Sequence, residues 1–262
     1  MTRRPPRGAP GGRPVPQPSG QARGPLSVAR ALSKFGVCSR REAERWIEAG
    51  RVAIDGRVVR WPQRRIDPRR QRVTVDGRPV SDRTERVVLA LHKPIGYVTS
   101  RVDGAGRPTV YDLLGGFGRW VFPVGRLDRD SAGLLIFTND HRLGQRLTDP
   151  EQHVAKTYHA LVAGVPSPEA LLALAEGVPL PSGAASRRAM VRVLGTVRGG
   201  RTWLEIVLTE GKNRQVRRMC AAVGHEVESL ARVGIGALFL GDLPAGQWRR
   251  LALPEIAQLA AR

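Results

Sequence analysis

Apolar and polar positions along this chain alternate in two different rhythms. From Leu26 the run Leu26-Ser27-Val28-Ala29-Arg30-Ala31-Leu32 has a helical period and ends at Gly36. Ser39 stands three residues before Glu42, the spacing of a capping box, and opens a second helix with Ala43, Trp46 and Ile47 as its apolar stripe. Gly50 suits the left-handed position that ends it. Arg40, Arg41 and Arg45 lie off that stripe, free to face a phosphate backbone. Val52 to Ile54, the Asp55-Gly56 turn and Arg57 to Val59 then read as a hairpin, and a second Asp-Gly turn follows at Asp76-Gly77. This small helix–helix–hairpin module ends near Glu85.

Beyond it the pattern turns strand-rich. Val87 to Leu91 is a buried strand leading into His92-Lys93-Pro94-Ile95-Gly96-Tyr97-Val98-Thr99-Ser100. Strands follow at Phe122 to Val124, Gly133 to Thr138 and Tyr158 to Val162, and Gly199-Gly200 joins segments 189–197 and 202–208 as a hairpin. Helices are predicted from an Asn139 cap to Leu147, from Ser167-Pro168 to Gly177, and over about 213–223. The fold class is α+β, with a large, mainly antiparallel sheet and flanking helices. Three parts result: a basic tail over 1–25, the small module over 26–85 and a larger domain over 86–262.

Composition sharpens the picture. The 262 residues carry 43 Lys and Arg against 23 Asp and Glu, a net charge of +20, which implies a polyanionic partner such as nucleic acid. Residues 1–25 hold seven Pro, five Gly and five Arg, and no acidic residue precedes Glu42, so the tail is expected to be disordered. At 41% apolar content the remainder can bury a core. No apolar run reaches the roughly 18 residues of a membrane span, and the N-terminus lacks a secretory apolar stretch. Two cysteines, Cys38 and Cys220, are too few for a disulfide framework and lack metal-ligand spacing, so a reducing cytoplasmic setting is the default.

Two segments carry candidate chemistry. Gly125-Arg126-Leu127-Asp128-Arg129-Asp130-Ser131 is a turn between apolar strands that sets Asp128 between arginines. An ionised aspartate there serves as a nucleophile, a base or a metal ligand, or simply as a solvated turn residue. In Gly211-Lys212-Asn213-Arg214-Gln215-Val216-Arg217-Arg218-Met219, helical spacing places Arg214, Arg217 and Arg218 on one face, opposite Val216, Met219, Cys220 and Val223. With Lys212 at the helix start this is a phosphate cradle or a solvated cationic face. The chain's four lysines, Lys34, Lys93, Lys156 and Lys212, all fall in the segments named here, against 39 arginines elsewhere and among them.

These motifs carry two resemblances. The run LSKFGVCSRREAERWIEAGRVAIDGRVV resembles the alpha-L (S-four-like) RNA-binding domain, which implies a structured RNA partner and no chemistry of its own. HKPIGYVTS, GRLDRDSAGLLIFTND, AKTYHALV and EGKNRQVRRM, in that order, resemble the ribosomal RNA pseudouridine synthases acting on single uridines. Ser131 replaces the usual Thr and keeps its hydroxyl; His141 replaces a common Gly, a change expected to touch only the helix start. The resemblance implies isomerisation of one uridine in ribosomal RNA, closer to the large-subunit than the small-subunit enzymes, with Asp128 as the nucleophile. It implies further that Arg126 helps hold the displaced nucleotide, that Tyr158 packs on the target base, and that Arg217 pairs with the Asp128 carboxylate. Lys212 and Arg214 join the substrate-binding set, and Arg40, Arg41 and Arg45 the RNA contacts. No metal or cofactor is implied; the partner is ribosomal RNA or a pre-ribosomal particle, and a cytoplasmic monomer is expected. The competing readings are a magnesium nuclease using Asp128, Asp130 and Asp140, and a non-catalytic ribosome-assembly factor.

Overall fold

The computed structural model describes residues 25–81, 85–181, 183 and 185–260; apart from Pro25, the tail expected to be disordered lies outside them. The N-terminal module opens with β1 (Leu26–Ser27), α1 (Val28–Lys34) and α2 (Arg40–Glu48). It continues through β2 (Val52–Ile54), β3 (Arg57–Val58), β4 (Arg65–Ile66), β5 (Val73–Val75) and β6 (Arg78–Val80). The Ser39 hydroxyl accepts from Glu42 N at 3.1 Å and caps α2 as its spacing predicts. Asp55 (φ 50°) and Gly56 (φ 80°) both adopt the left-handed conformation that a two-residue hairpin turn demands. The sheet order is β3-β2-β5-β6, and Leu32, Ile47, Val52, Ile66 and Val73 close a core of the module's own.

The larger part runs β7 (Val88–Lys93), β8 (Phe122–Pro123), β9 (Ala132–Thr138), α3 (His141–Thr148), β10 (Lys156–Ala163) and α4 (Pro168–Glu176). Then come β11 (Met190–Val197), β12 (Arg201–Leu208), α5 (Gln215–Ala222), β13 (Val227–Ile235), β14 (Leu238–Phe239), β15 (Trp248–Arg250) and α6 (Leu253–Ala260). Among the described residues, nine strands form one sheet with the path β11-β12-β10-β13-β9-β7-β15; β8 and β14 pair β9 and β13 off that path. Every pairing is antiparallel except β9 with β13, where Ala132 faces Ala231 and Gly133 faces Arg232. Strand β7 is buried on both faces: Val88 and Ala90 pack toward α3 and α6, Leu89 and Leu91 toward Val110, Leu114 and Phe137. Under β10 and β12, α4 and α5 close a third core through Leu174, Val216 and Met219.

Three local expectations change. The cap of α3 is Asp140, whose carboxylate accepts from Arg142 N at 2.8 Å, and not Asn139. The buried Asn139 side chain instead accepts from Val87 N (2.9 Å) and donates to Glu85 O (2.9 Å), joining the entrance of β7 to the exit of β9. Helix α5 begins at Gln215 rather than near 213, because Gln215 turns its amide back to accept from Lys212 N at 2.9 Å and to donate to Glu210. Strand β13 has no counterpart in the sequence reading, since Glu228, Ser229 and Arg232 interrupt its apolar positions.

The two parts meet along α1 and α3. His141 Nε2 lies 2.9 Å from Ser33 O, and its ring stacks on Phe122 with 4.6 Å between centroids. A Cβ on Gly36 would sit 3.0 Å from Asn139, so the seam is tight there. His141 therefore does more than start a helix, the limited effect expected of it. A cleft of about 550 Å³ opens along this seam, lined by Arg30, Lys34 and Arg40 on one side and Gly125 on the other.

Candidate active site

The segment carrying Asp128 bridges β8 and β9, beside the single parallel pairing of the sheet. Its backbone is held from one direction by the segment after β7. Lys93, fully buried, donates from Nζ to Pro94 O (3.0 Å), Asp128 O (3.0 Å) and Ser131 O (2.7 Å). Thr99 Oγ1 donates to Leu127 O (2.7 Å) and accepts from Leu127 N (3.2 Å), while Gly96 N donates to Arg129 O (2.8 Å). Burial pushes the Lys93 ammonium down to about 8, with the Asp130 and Asp128 carboxylates opposing the fall. Sequence reasoning singled out this lysine only as one of four; three carbonyl acceptors are what it is there to meet.

Asp128 itself is half-buried, and among the described residues no hydrogen bond or ion pair falls on its carboxylate. This corrects the expected pairing with Arg217. The Arg217 guanidinium spans instead from Val227 O (Nη1, 2.7 Å) to Asp130 O (Nη2, 2.9 Å), with Nε 3.4 Å from the Asp130 carboxylate. Arg214 also turns to Asp130, at 3.0 Å, from the N-cap of α5 with φ 50°. The two arginines thus meet on Asp130 rather than along a common helix face. Arg218 donates to Asn213 Oδ1 at 3.0 Å and stays apart.

The other expected residues scatter. Arg126 is exposed on the loop, and Tyr158 is half-buried on β10, opposite Arg232 of β13, which itself lies opposite Gly133 of β9. Lys212 donates to Ala185 O at 2.8 Å and lies 3.5 Å from buried Glu210. Burial alone would raise the Glu210 carboxyl, but hydrogen bonds from Arg187 N and Gln215 and the nearby Lys212 hold it below the ordinary range. Arg40, Arg41 and Arg45 are exposed on α2, with Arg40 also 3.3 Å from Glu44. The Ser131 hydroxyl, Arg217 Nε and Arg232 Nη2 are buried without hydrogen-bond partners, and Arg232 Nε donates to Leu134 O at 2.9 Å. All border the segment 130–134.

The nuclease arrangement does not assemble. Asp130 is engaged by two arginines and Asp140 caps α3 beside Arg86 (3.4 Å). Among the described residues no three His, Cys, Asp or Glu side chains gather as metal ligands. Cys38 and Cys220 sit buried in separate cores, and burial pushes both thiols up to about 12. No described helix is long and apolar enough to cross a membrane.

Residues 87–222 match the RNA pseudouridylate synthase family and residues 29–71 match the S4 domain. An Aquifex aeolicus protein named uncharacterized RNA pseudouridine synthase is 40% identical over 235 residues, covering 89% of this chain and 93% of its own. A Bacillus subtilis protein named ribosomal large subunit pseudouridine synthase B is 36% identical, covering 89% and 95%. A crystal structure of a pseudouridylate synthase superposes with a TM-score of 0.63 at 28% identity, over 89% of this chain and 99% of that one. With the S4 module ahead of the large mixed sheet, this chain belongs to the RNA pseudouridine synthase family of enzymes.

Proposed function

We propose that this enzyme converts a single uridine of large-subunit ribosomal RNA to pseudouridine, with the Asp128 carboxylate as the nucleophile. The observation that carries the reading is an unpaired carboxylate on a loop whose backbone is fixed by Lys93, Gly96 and Thr99. Preorganisation of this kind is what a reacting group needs, since small displacements at the chemistry cost large factors in rate. The base–ribose C–N bond breaks, the base turns, a C–C bond to the same sugar carbon forms, and the proton lost from that base carbon is balanced by one gained on the freed ring nitrogen. Substrate and product are isomers, so no electron acceptor, metal or cofactor enters the balance.

The uridine must leave its stack first, at a cost of roughly a few kcal/mol. Tyr158 returns about 1–3 kcal/mol by stacking on the displaced base, and Arg126, exposed beside Asp128, contacts the nucleotide's phosphate. Arg214 and Arg217 border the same loop and complete the substrate contacts; Lys212 braces the start of α5 through Ala185 and Glu210. Residues 26–85 form the RNA-binding module, with Arg40, Arg41 and Arg45 on phosphates, and residues 86–262 the catalytic domain. A monomer acting in the cytoplasm on ribosomal RNA or a pre-ribosomal particle satisfies this arrangement. The large-subunit assignment takes its support from the name of the Bacillus subtilis relative.

Pseudouridine mapping of ribosomal RNA from a strain lacking the gene should show one site lost from the large subunit, restored by the wild-type gene and not by Asp128→Asn. An unchanged map, or full restoration by the Asn variant, rejects the reading.

A further inference from the structure

Asp130 carries more charge contacts than Asp128, and the reaction as described gives it no task. Its carboxylate lies 3.0 Å from Arg214 and 3.4 Å from Arg217 Nε, and its carbonyl accepts from Arg217 Nη2 at 2.9 Å. Val227 O takes Arg217 Nη1 at 2.7 Å, so carbonyls from two separate elements fix the guanidinium plane. Nε is then left as a buried donor with no hydrogen-bond acceptor, at the flank of the catalytic loop. Arg214 is different in kind. It sits half-exposed in a left-handed conformation that a non-glycine residue keeps only when its surroundings hold it, and Asp130 is the charge that meets its side chain. Burial alone would raise the Asp130 carboxyl, yet the Arg214 hydrogen bond and the charges of Arg217 and Arg214 hold it below the ordinary range. It is therefore an anion at neutral pH.

We propose that Asp130 is a positioning residue for the isomerisation: its carboxylate aligns Arg214 and Arg217 along the catalytic loop and occupies Arg214 until an RNA phosphate displaces it. This rests on the pseudouridine synthase reading given above. The split follows from exposure, since the Arg214 side chain is 43% exposed and open to phosphate, whereas Arg217 at 13% is sheltered and stays on its two carbonyls. Without the carboxylate, Arg214 is freer to bind phosphate, and both cations are less well aligned for the reaction. Affinity and rate then move in opposite directions.

The test is RNA binding and single-turnover pseudouridine formation, measured for wild type, Asp130→Asn and Asp130→Glu on the same ribosomal RNA fragment. Asp130→Asn should bind about three- to tenfold more tightly, with a salt dependence steeper by roughly one phosphate contact. Its rate at saturating RNA should fall by roughly tenfold or more, equivalent to about 1.4 kcal/mol of barrier. Asp130→Glu, which restores the charge, should return affinity to the wild-type value and recover part of the rate. An Asn variant within twofold of the wild-type rate, or one that binds RNA more weakly, overturns the assignment. If wild type forms pseudouridine and the Asn variant does so equally well, only this inference falls; if wild type forms none, the proposed function falls with it.

Discussion

Lys93 donates through its ammonium to the main-chain carbonyl of Asp128 at 3.0 Å, so a lysine with no exposed surface holds the backbone of the residue proposed to react. Its other two N–H groups serve Pro94 O and Ser131 O. Lys93→Met would keep the stem and relieve a buried charge, but leave Pro94 O and Ser131 O without their donor, while Asp128 O keeps only Ser131 N at 3.1 Å. Unsatisfied buried acceptors cost about 1–3 kcal/mol each, and this term outweighs the relief. Thermal denaturation should show a stability loss of a few kcal/mol, and pseudouridine formation should drop by roughly a hundredfold as the loop loosens. A variant as stable and active as wild type would show the lysine to be dispensable.

The same group sets a pH dependence. Burial lowers the Lys93 pKa from 10.5 to about 8, so between those values the unfolded chain binds more protons than the folded one. Its contribution to folding stability therefore rises with pH across that window, and the full burial cost applies below about 8. Catalysis should run the other way, because a neutral amine has two N–H groups for three carbonyls. Single-turnover rates are expected to decline as pH rises through about 8 while the Lys93 share of stability grows, and Lys93→Met should lack both trends. A rate that stays flat to pH 9.5 contradicts this.

At Arg217 the expected outcome depends on shape as well as charge. The guanidinium reaches Val227 O, Asp130 O and the Asp130 carboxylate at once, a span that a single ammonium cannot cover. Arg217→Lys should bind RNA nearly normally and lose roughly tenfold or more in rate, about 1.4 kcal/mol of barrier. Arg218→Lys, which gives up only the contact to Asn213, is the control. Equal, small effects at both positions would reduce Arg217 to a phosphate contact.

Gly133→Ala probes the centre of the sheet. A Cβ there would stand 2.2 Å from Arg232 O, on a residue with φ 109°. Neither strand can yield without breaking the β9–β13 pairing, so the variant should lose several kcal/mol of stability or fail to fold. Gly56→Ala, also at positive φ but with open space around it, should cost only about 1 kcal/mol. Melting temperatures of the two variants check the contrast.

For the RNA module, Arg41→Ala and Arg45→Ala should each flatten the log–log salt dependence of binding by up to about 0.9, the value for one phosphate contact on a duplex. Rates at saturating RNA should not change, because Arg41 and Arg45 lie on the exposed face of α2 in the N-terminal module rather than on the segment carrying Asp128. Unchanged slopes would move the RNA footprint away from the exposed face of α2.

Local grammar decided much of this molecule in advance. Ser39 and Glu42, the Asp55-Gly56 and Asp76-Gly77 turns, Ser167-Pro168 and the Gly199-Gly200 hairpin each act within a few residues. Their elements could therefore be read directly, as could the α+β class and the sequence of motifs around Asp128. The charge of +20 pointed to a polyanion for the same reason: it is a sum that needs no fold. What the tertiary structure alone decided are partnerships between distant segments. Lys93 meets Ser131 across 38 positions, and Arg217 meets Asp130 across 87, so nothing in local spacing could assign Arg217 to Asp130 rather than Asp128. The parallel pairing of β9 with β13, which places Gly133 against Arg232, depends on the whole sheet closing around it. His141 likewise reads as an ordinary first residue of a helix until Ser33, 108 positions away, is set against its ring. Short-range propensity is written in neighbouring side chains, whereas these contacts exist only because burial of the shared cores brings remote backbone carbonyls and charges within hydrogen-bonding reach.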